Sequence, residues 1–113
     1  MYQRKGRYGG QERRRSPRYP RRFHAALEYD GNIYEIGTID ISAHGVLIPR
    51  RLPPPIGATV KLTLTIRDEK STFEGTVVRH TKCLVNGVLT TGIGIDLPSP
   101  EYEEFVKANI IIT

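Results

Sequence analysis

The chain's 113 residues suffice for one domain with a modest core, and 38% apolar residues is a little low for a globular body. Residues 1–22 hold nine basic residues and one acid, a charge of +8 in a chain whose total is +5, so residues 23–113 carry −3. The basicity therefore belongs to an N-terminal arm and points to an anionic partner for it: nucleic acid, nucleotide or membrane surface. Cys83 is the only cysteine, which excludes an internal disulfide and fits a reducing compartment. The N-terminus lacks the apolar core of a secretory signal, and no apolar run approaches the ~20 residues of a membrane span. The expectation is a soluble, cytoplasmic protein without membrane insertion.

Residues 1–11 are polar, carry Gly6, Gly9 and Gly10, and read as a disordered tail. Tyr2 and Tyr8 among the basic residues have the make-up of a base-stacking segment, but a solvated tail explains them as well. In residues 12–22, Pro17 and Pro20 break any helix and favour an extended arm. Extended geometry spaces arginines four positions apart by up to ~14 Å, enough for one guanidinium at each end of a planar, doubly charged ligand.

A first strand runs from Phe23 to Tyr29, and Asp30-Gly31-Asn32 is a hairpin signal. Ile33–Ile39 follows as a second strand. The stretch Asp40–Gly45 then reads as a polar turn, because Asp and Ser side chains bond nearby backbone N–H groups and Gly45 permits close approach. Val46–Pro49 is a third strand, and Arg50–Gly57, with three consecutive prolines, is a loop. Thr59–Arg67 alternates most cleanly, with Val60, Leu62, Leu64 and Ile66 on one face. Asp68-Glu69-Lys70 turns the chain into a fifth strand, Ser71–His80, in which Gly75 suggests a bend or bulge. Thr81–Asn86 is a connection, and Gly87–Leu97 is a sixth strand. A helix is expected over 100–110, capped by Ser99, with Pro100 in its first turn and Tyr102, Phe105, Val106 and Asn109 on one stripe. The expected fold is all-β: a six-stranded antiparallel barrel over 23–97, a C-terminal helix and a flexible basic arm over 12–22.

Two motifs stand in order on this pattern: Arg14-x-x-x-Arg18 in the arm and Asp40-x-Ser42-x-x-Gly45 one hairpin later. Together they resemble the PilZ family of cyclic-di-GMP receptors. Gly75–Arg79 and Gly92–Leu97 look like the family's later strands, so the resemblance covers roughly residues 12–108. It implies a domain over 12–113 that binds cyclic-di-GMP, has no catalytic activity and no cofactor, and signals to an unidentified effector protein. Motility, adhesion and exopolysaccharide output are the processes such receptors regulate.

The chemistry suits that implication. Arginine offers a planar fork to phosphate and to the O6/N7 edge of guanine, which assigns Arg14 and Arg18 as ligand contacts. Asp40 accepts from guanine N1–H and N2–H₂, or caps the turn. Ser42 bonds a phosphate or holds the turn, and Gly45 lets ligand or arm lie close. Arg13, just before the motif, resembles the family's stoichiometry selector and favours an intercalated ligand pair. Arg79 is placed for the second guanine or for solvent. His44 has no metal-ligand cluster around it, and His24 and His80 look isolated.

Two other readings compete. A basic-tailed nucleic-acid barrel needs aromatics on its strand faces, and beyond Phe23 only Tyr29, Tyr34 and Phe73 qualify on an acidic body. A ligand-free adaptor of the same family would be expected to lack the arginines that are present here. An enzyme is disfavoured by the absence of any nucleophile triad, P-loop, dinucleotide fingerprint or metal cluster.

Overall fold

The computed structural model describes residues 17–111. Seven strands follow one another: β1 (His24–Tyr29), β2 (Asn32–Gly37), β3 (Asp40–Ser42), β4 (Gly45–Pro49), β5 (Thr59–Ile66), β6 (Glu69–Val85) and β7 (Val88–Asp96). Helix α1 (Pro100–Val106) comes next and runs into a π-helical turn, Lys107–Ile111. All strand pairs are antiparallel, in the order β2-β1-β5-β6-β7-β4-β3. The all-β class with a C-terminal helix is as the sequence implies.

Several details differ from expectation. Among the described residues there are seven strands rather than six, because Asp40–Ser42 is itself a short strand and the expected turn shrinks to Ala43-His44. The expected connection Thr81–Asn86 is mostly the last part of β6, a strand of 17 residues. The sheet also does not close as a barrel. The free edge of β3 is taken by the arm: Tyr19 N donates to Ile41 O (2.8 Å) and Ile41 N to Tyr19 O (2.9 Å), so the arm stands where β2 would have to pair.

Three two-residue turns tighten the hairpins. Asp30-Gly31, Arg67-Asp68 and Asn86-Gly87 each hold both residues at positive φ, the mirror-image turn whose twist matches that of the strands. The bulge expected at Gly75 lies slightly later, between Val77 and Arg79, and leaves Val78 half-exposed. Gly75 instead serves close packing: a Cβ there would sit 2.6 Å from the Asp96 carbonyl oxygen.

The core is one apolar cluster on the inner face. Val60, Leu62, Leu64 and Ile66 are buried as their alternation requires, with Ala25, Leu27, Ile41, Val46, Ile48, Val77, Ile93 and Ile95 from the other strands. Helix α1 lays Tyr102 and Val106 over this cluster, and Ile110 of the π turn joins them. Phe73 meets Tyr102 edge-on at 5.1 Å and Phe105 at 5.4 Å. Ser99 caps the helix, its hydroxyl accepting from Tyr102 N at 3.0 Å, with Pro100 in the first turn. The α-helix is shorter than the expected 100–110. Asn109 Nδ2 donates to Phe105 O (2.9 Å) and competes with the backbone ladder where the π turn replaces it.

Candidate functional site

Register decides which side chains share a face. Arg79 pairs with Gly94, Gly94 with Leu47, and Leu47 with Asp40. These four form one row across β6, β7, β4 and β3, all on the face opposite the core. The neighbouring row Val77, Ile95, Val46, Ile41 is the buried one, as alternation demands. Thr76, Asp96, Gly45 and Ser42 form the next outer row. Three strand spacings separate Asp40 from Arg79, roughly 14 Å. Between them lie Gly94 and a buried Leu47, with Gly45 in the adjacent outer row; the Asp40 carboxylate stands at one end, and the Arg79 side chain starts from the other and reaches over Gly94.

The glycines are required here by close contacts. At Gly45 a Cβ would lie 2.3 Å from the Ile95 carbonyl oxygen, so among the described residues the backbone of β7 is what comes close. At Gly94 a Cβ would lie 2.8 Å from Cγ and 2.9 Å from Nε of Arg79. The Arg79 side chain therefore lies flat across Gly94.

The arm supplies the remaining wall. Because Tyr19 turns its ring toward the core, its neighbour Arg18 falls on the outer side. Arg18 Nη1 donates to Asp40 Oδ1 at 3.0 Å, with both side chains mostly buried. Arg18 Nε is also buried and makes no hydrogen bond. Further along, the buried Thr38 hydroxyl donates to Arg21 O (2.6 Å) and accepts from Phe23 N (2.8 Å), while Thr38 N donates to Phe23 O (2.9 Å). The arm is thus bonded to the sheet at Ile41 and at Thr38, on either side of Asp40. Between the arm's Pro20, Arg21 and Arg22 and the β6–β7 hairpin's Leu84, Val85 and Asn86 opens a cleft of about 210 Å³.

The Ser42–Gly45 turn is held from two sides. On the outer side Ser42 Oγ lies 3.4 Å from both His44 N and Gly45 O. On the inner side the Tyr102 hydroxyl sits 2.9 Å from both Ser42 O and Gly45 O, and Leu97 N donates to His44 O (2.8 Å). Burial and the nearby Asp40 carboxylate push the Tyr102 hydroxyl well above the ordinary tyrosine range. Burial likewise raises the Cys83 thiol, which keeps it protonated near neutral pH.

Of the residues singled out by sequence, Arg18, Asp40, Ser42, Gly45 and Arg79 share the outer face, and Arg18 and Asp40 touch. Arg13 and Arg14 lie outside the described residues. His24 and His80 are not isolated: His24 Nε2 is 3.6 Å from Glu35 Oε1, and His80 Nε2 is 2.7 Å from Pro54 O. The aromatics that a base-stacking surface would need are engaged elsewhere. Phe73 is in the core, and the Arg50 guanidinium covers the Tyr34 ring at 3.6 Å. Sequence reasoning missed Thr38, Gly94 and Tyr102. Thr38 lies just past the end of β2 and Gly94 within β7, where alternation marks only a face, and the helical stripe marks Tyr102 only as a core aromatic.

The fold and this face define a class: an open antiparallel sheet with a helix on its core and a basic arm across its outer edge. The PilZ domain family matches residues 12–108, and the chain belongs to it. Solved structures agree in fold. The chain superposes on the PilZ domain of YcgR from Escherichia coli with c-di-GMP at a TM-score of 0.73 and 15% identity, covering 88% of this chain and 90% of that one. On the Bacillus subtilis inhibitor of motility MotI/DgrA the TM-score is 0.70 with 13% identity over 88% of this chain and 50% of that one. On the K. pneumonia MrkH–c-di-GMP complex it is 0.69 with 17% identity, over 89% and 53%. The chain thus spans about half the length of MotI and MrkH. No curated protein matches it.

Proposed function

We propose that this domain is a cyclic-di-GMP receptor, not an enzyme, which takes its ligand between the arm and the outer face of β3, β4, β7 and β6. The observation that carries the reading is the Arg18–Asp40 pair. It brings the two sequence motifs together at one end of the row Asp40–Leu47–Gly94–Arg79, whose other end is Arg79. YcgR and MrkH, described in complex with c-di-GMP, share the family or the fold and support the choice of ligand.

In this reading Arg14 and Arg18 hold phosphate and the guanine O6/N7 edge, and Asp40 accepts from guanine N1–H and N2–H₂. A carboxylate has acceptor capacity beyond the single Arg18 bond, so Asp40 can serve guanidinium and guanine together. Ser42 receives a phosphate, Gly45 lets β7 pack close against the turn that presents it, and Arg79 stacks on or bonds the second guanine. Ligand neutralises the arm's charge and adds to the bonds that tie Tyr19 and Arg21 to the sheet, so that residues 12–22 become further ordered, and the altered surface signals to a partner protein in the cytoplasm. Part of the interaction energy is spent on that ordering.

Calorimetric titration with cyclic-di-GMP, against GTP and single-stranded RNA, tests the proposal. Selective binding of cyclic-di-GMP is expected. Absence of heat at about tens of micromolar with the domain folded overturns it, and preferential RNA binding would replace it with a nucleic-acid reading.

A further inference from the structure

We infer that Tyr102 is a positioning residue for the Asp40–Gly45 motif and that helix α1 thereby carries the state of the ligand site. The inference rests on the receptor reading above for its ligand, but its geometry stands apart from it. The hydroxyl lies 2.9 Å from two carbonyl oxygens, those of Ser42 and Gly45, which are paired across the β3–β4 turn. One proton is shared between them, so the phenol staples the two strand ends together from beneath. The ring is fully buried and fixed edge-on by Phe73, so the hydroxyl's position follows the helix.

The main chain reinforces this link. Leu97, just before the helix, donates to His44 O within the same turn. Three carbonyls of the turn, at positions 42, 44 and 45, are therefore held by residues 97 and 102. The side chains of Asp40 and Ser42 meanwhile stand on the outer face. One side of the turn faces the proposed ligand, and the other is bonded to the C-terminal segment. Any shift of the turn on binding must move Tyr102 or break its bonds. By thermodynamic reciprocity, whatever holds the helix must then tune ligand affinity.

Tyr102→Phe keeps the ring against Phe73 and removes only the hydroxyl. With both proteins fully folded, affinity for cyclic-di-GMP should fall about tenfold, the scale of one buried hydrogen bond. Amide exchange should quicken at His44 and Gly45 and stay unchanged in β5. Ligand should slow exchange of the Glu103–Val106 amides in wild type and lose that effect in the variant. A lowered melting temperature with unchanged affinity and unchanged exchange at the turn would make Tyr102 a packing residue only and overturn the inference. If wild type itself binds no cyclic-di-GMP, the receptor reading falls, and exchange at His44 and Gly45 in the ligand-free proteins still decides the positioning role. Should Tyr102→Phe fail to fold, the wild-type hydroxyl proton answers instead. Exchange as slow as that of the turn amides supports the staple, and rapid exchange with solvent overturns it.

Discussion

Arg18 Nη1 lies 3.0 Å from Asp40 Oδ1 across 22 residues of chain, and the contact joins an arm residue to a strand residue on the sheet's outer face. Its side chains are 29% and 19% exposed, so solvent screens the pair only partly. The arrangement places a guanidinium and a carboxylate side by side on the outer face. Arg18→Ala should weaken cyclic-di-GMP binding by about 2–4 kcal/mol, the cost of losing charge-assisted bonds in a desolvated site. Arg14→Ala should cost a similar amount and Arg4→Ala little. Equal losses for all three, measured by calorimetry, would reduce the arm to a diffuse electrostatic tether.

Asp40 itself can be separated from turn structure by ligand choice. Only guanine presents N1–H and N2–H₂ together toward a carboxylate. Asp40→Ala should therefore weaken cyclic-di-GMP more than cyclic-di-AMP when both are titrated into the same protein. Equal losses would assign Asp40 to holding Arg18 alone.

Thr38 anchors the arm independently of the arginines. Its buried hydroxyl donates to Arg21 O and accepts from Phe23 N. Thr38→Val keeps the shape and strands both backbone groups, which should cost about 1–3 kcal/mol of stability. Urea unfolding measures the loss, and faster amide exchange at Phe23 should accompany it.

Much of this architecture was legible because alternation is a strong signal where one face is buried. Val60, Leu62, Leu64 and Ile66 fall in the core as their spacing says. The Ser99 cap and Pro100 start are equally local and equally readable. What alternation cannot convey is pairing between distant segments. Asp40–Ser42 has the composition of a turn, and it becomes a strand because Tyr19 and β4 bond both its edges. Beyond Val77 the outer end of β6 has no buried side chain, but its partner β7 and the Asn86-Gly87 turn carry it as strand. The site row Arg79–Gly94–Leu47–Asp40 depends on three separate registers and on a bulge at Val78. None of these is encoded within a single segment. Tyr102 shows the same limit at one residue, since its burial follows from the helical stripe while its hydroxyl partners lie about 60 residues away.

The sheet's tolerance at Gly45 and Gly94 is narrow. Gly45→Ala places a methyl group 2.3 Å from a backbone oxygen of β7, and backbone cannot swing aside as a flexible side chain can. Overpacking of this kind should destabilise by about 3 kcal/mol or more. Gly94→Ala meets Arg79 side-chain atoms instead. It should cost less stability, yet displace Arg79 and reduce ligand affinity. Thermal unfolding paired with calorimetry on both variants checks that the two glycines act on different quantities.

Tyr102 also sets an alkaline limit. Its folded-state pKa is raised by burial and by Asp40, whereas an unfolded tyrosine ionises near pH ~10. Above that pH the unfolded chain releases a proton that the folded chain retains, so the unfolded state binds fewer protons. Stability is therefore fully present below pH ~10 and falls as pH rises toward the folded pKa, by at most about 1.4 kcal/mol per pH unit from this group. Tyr102→Phe should flatten that part of the curve while lowering stability near neutrality. An unchanged alkaline slope in urea titrations would place the sensitivity elsewhere.

The last expectation concerns stoichiometry. Arg13 precedes the motif arginine Arg14, and Arg15, Arg18, Arg21 and Arg22 follow within nine positions. One cyclic-di-GMP brings two negative charges and a stacked pair brings four. A site with this much positive charge offsets the repulsion between two ligands, and guanines stack on one another and on guanidinium planes. Two ligands per chain are therefore expected, intercalated between the arm and the Asp40–Gly45 segment. Arg79, at the far end of the row, would meet the outer guanine of the pair. A calorimetric ratio near two should accompany slower amide exchange in residues 12–22 at saturation. Arg13→Leu should lower the ratio toward one while leaving binding intact. A ratio of one in the wild type would remove Arg13 as selector and leave the receptor assignment standing. An arm that exchanges as fast at saturation as without ligand would end the clamp mechanism itself, because the Arg18–Asp40 contact would then have no role in closing over the ligand.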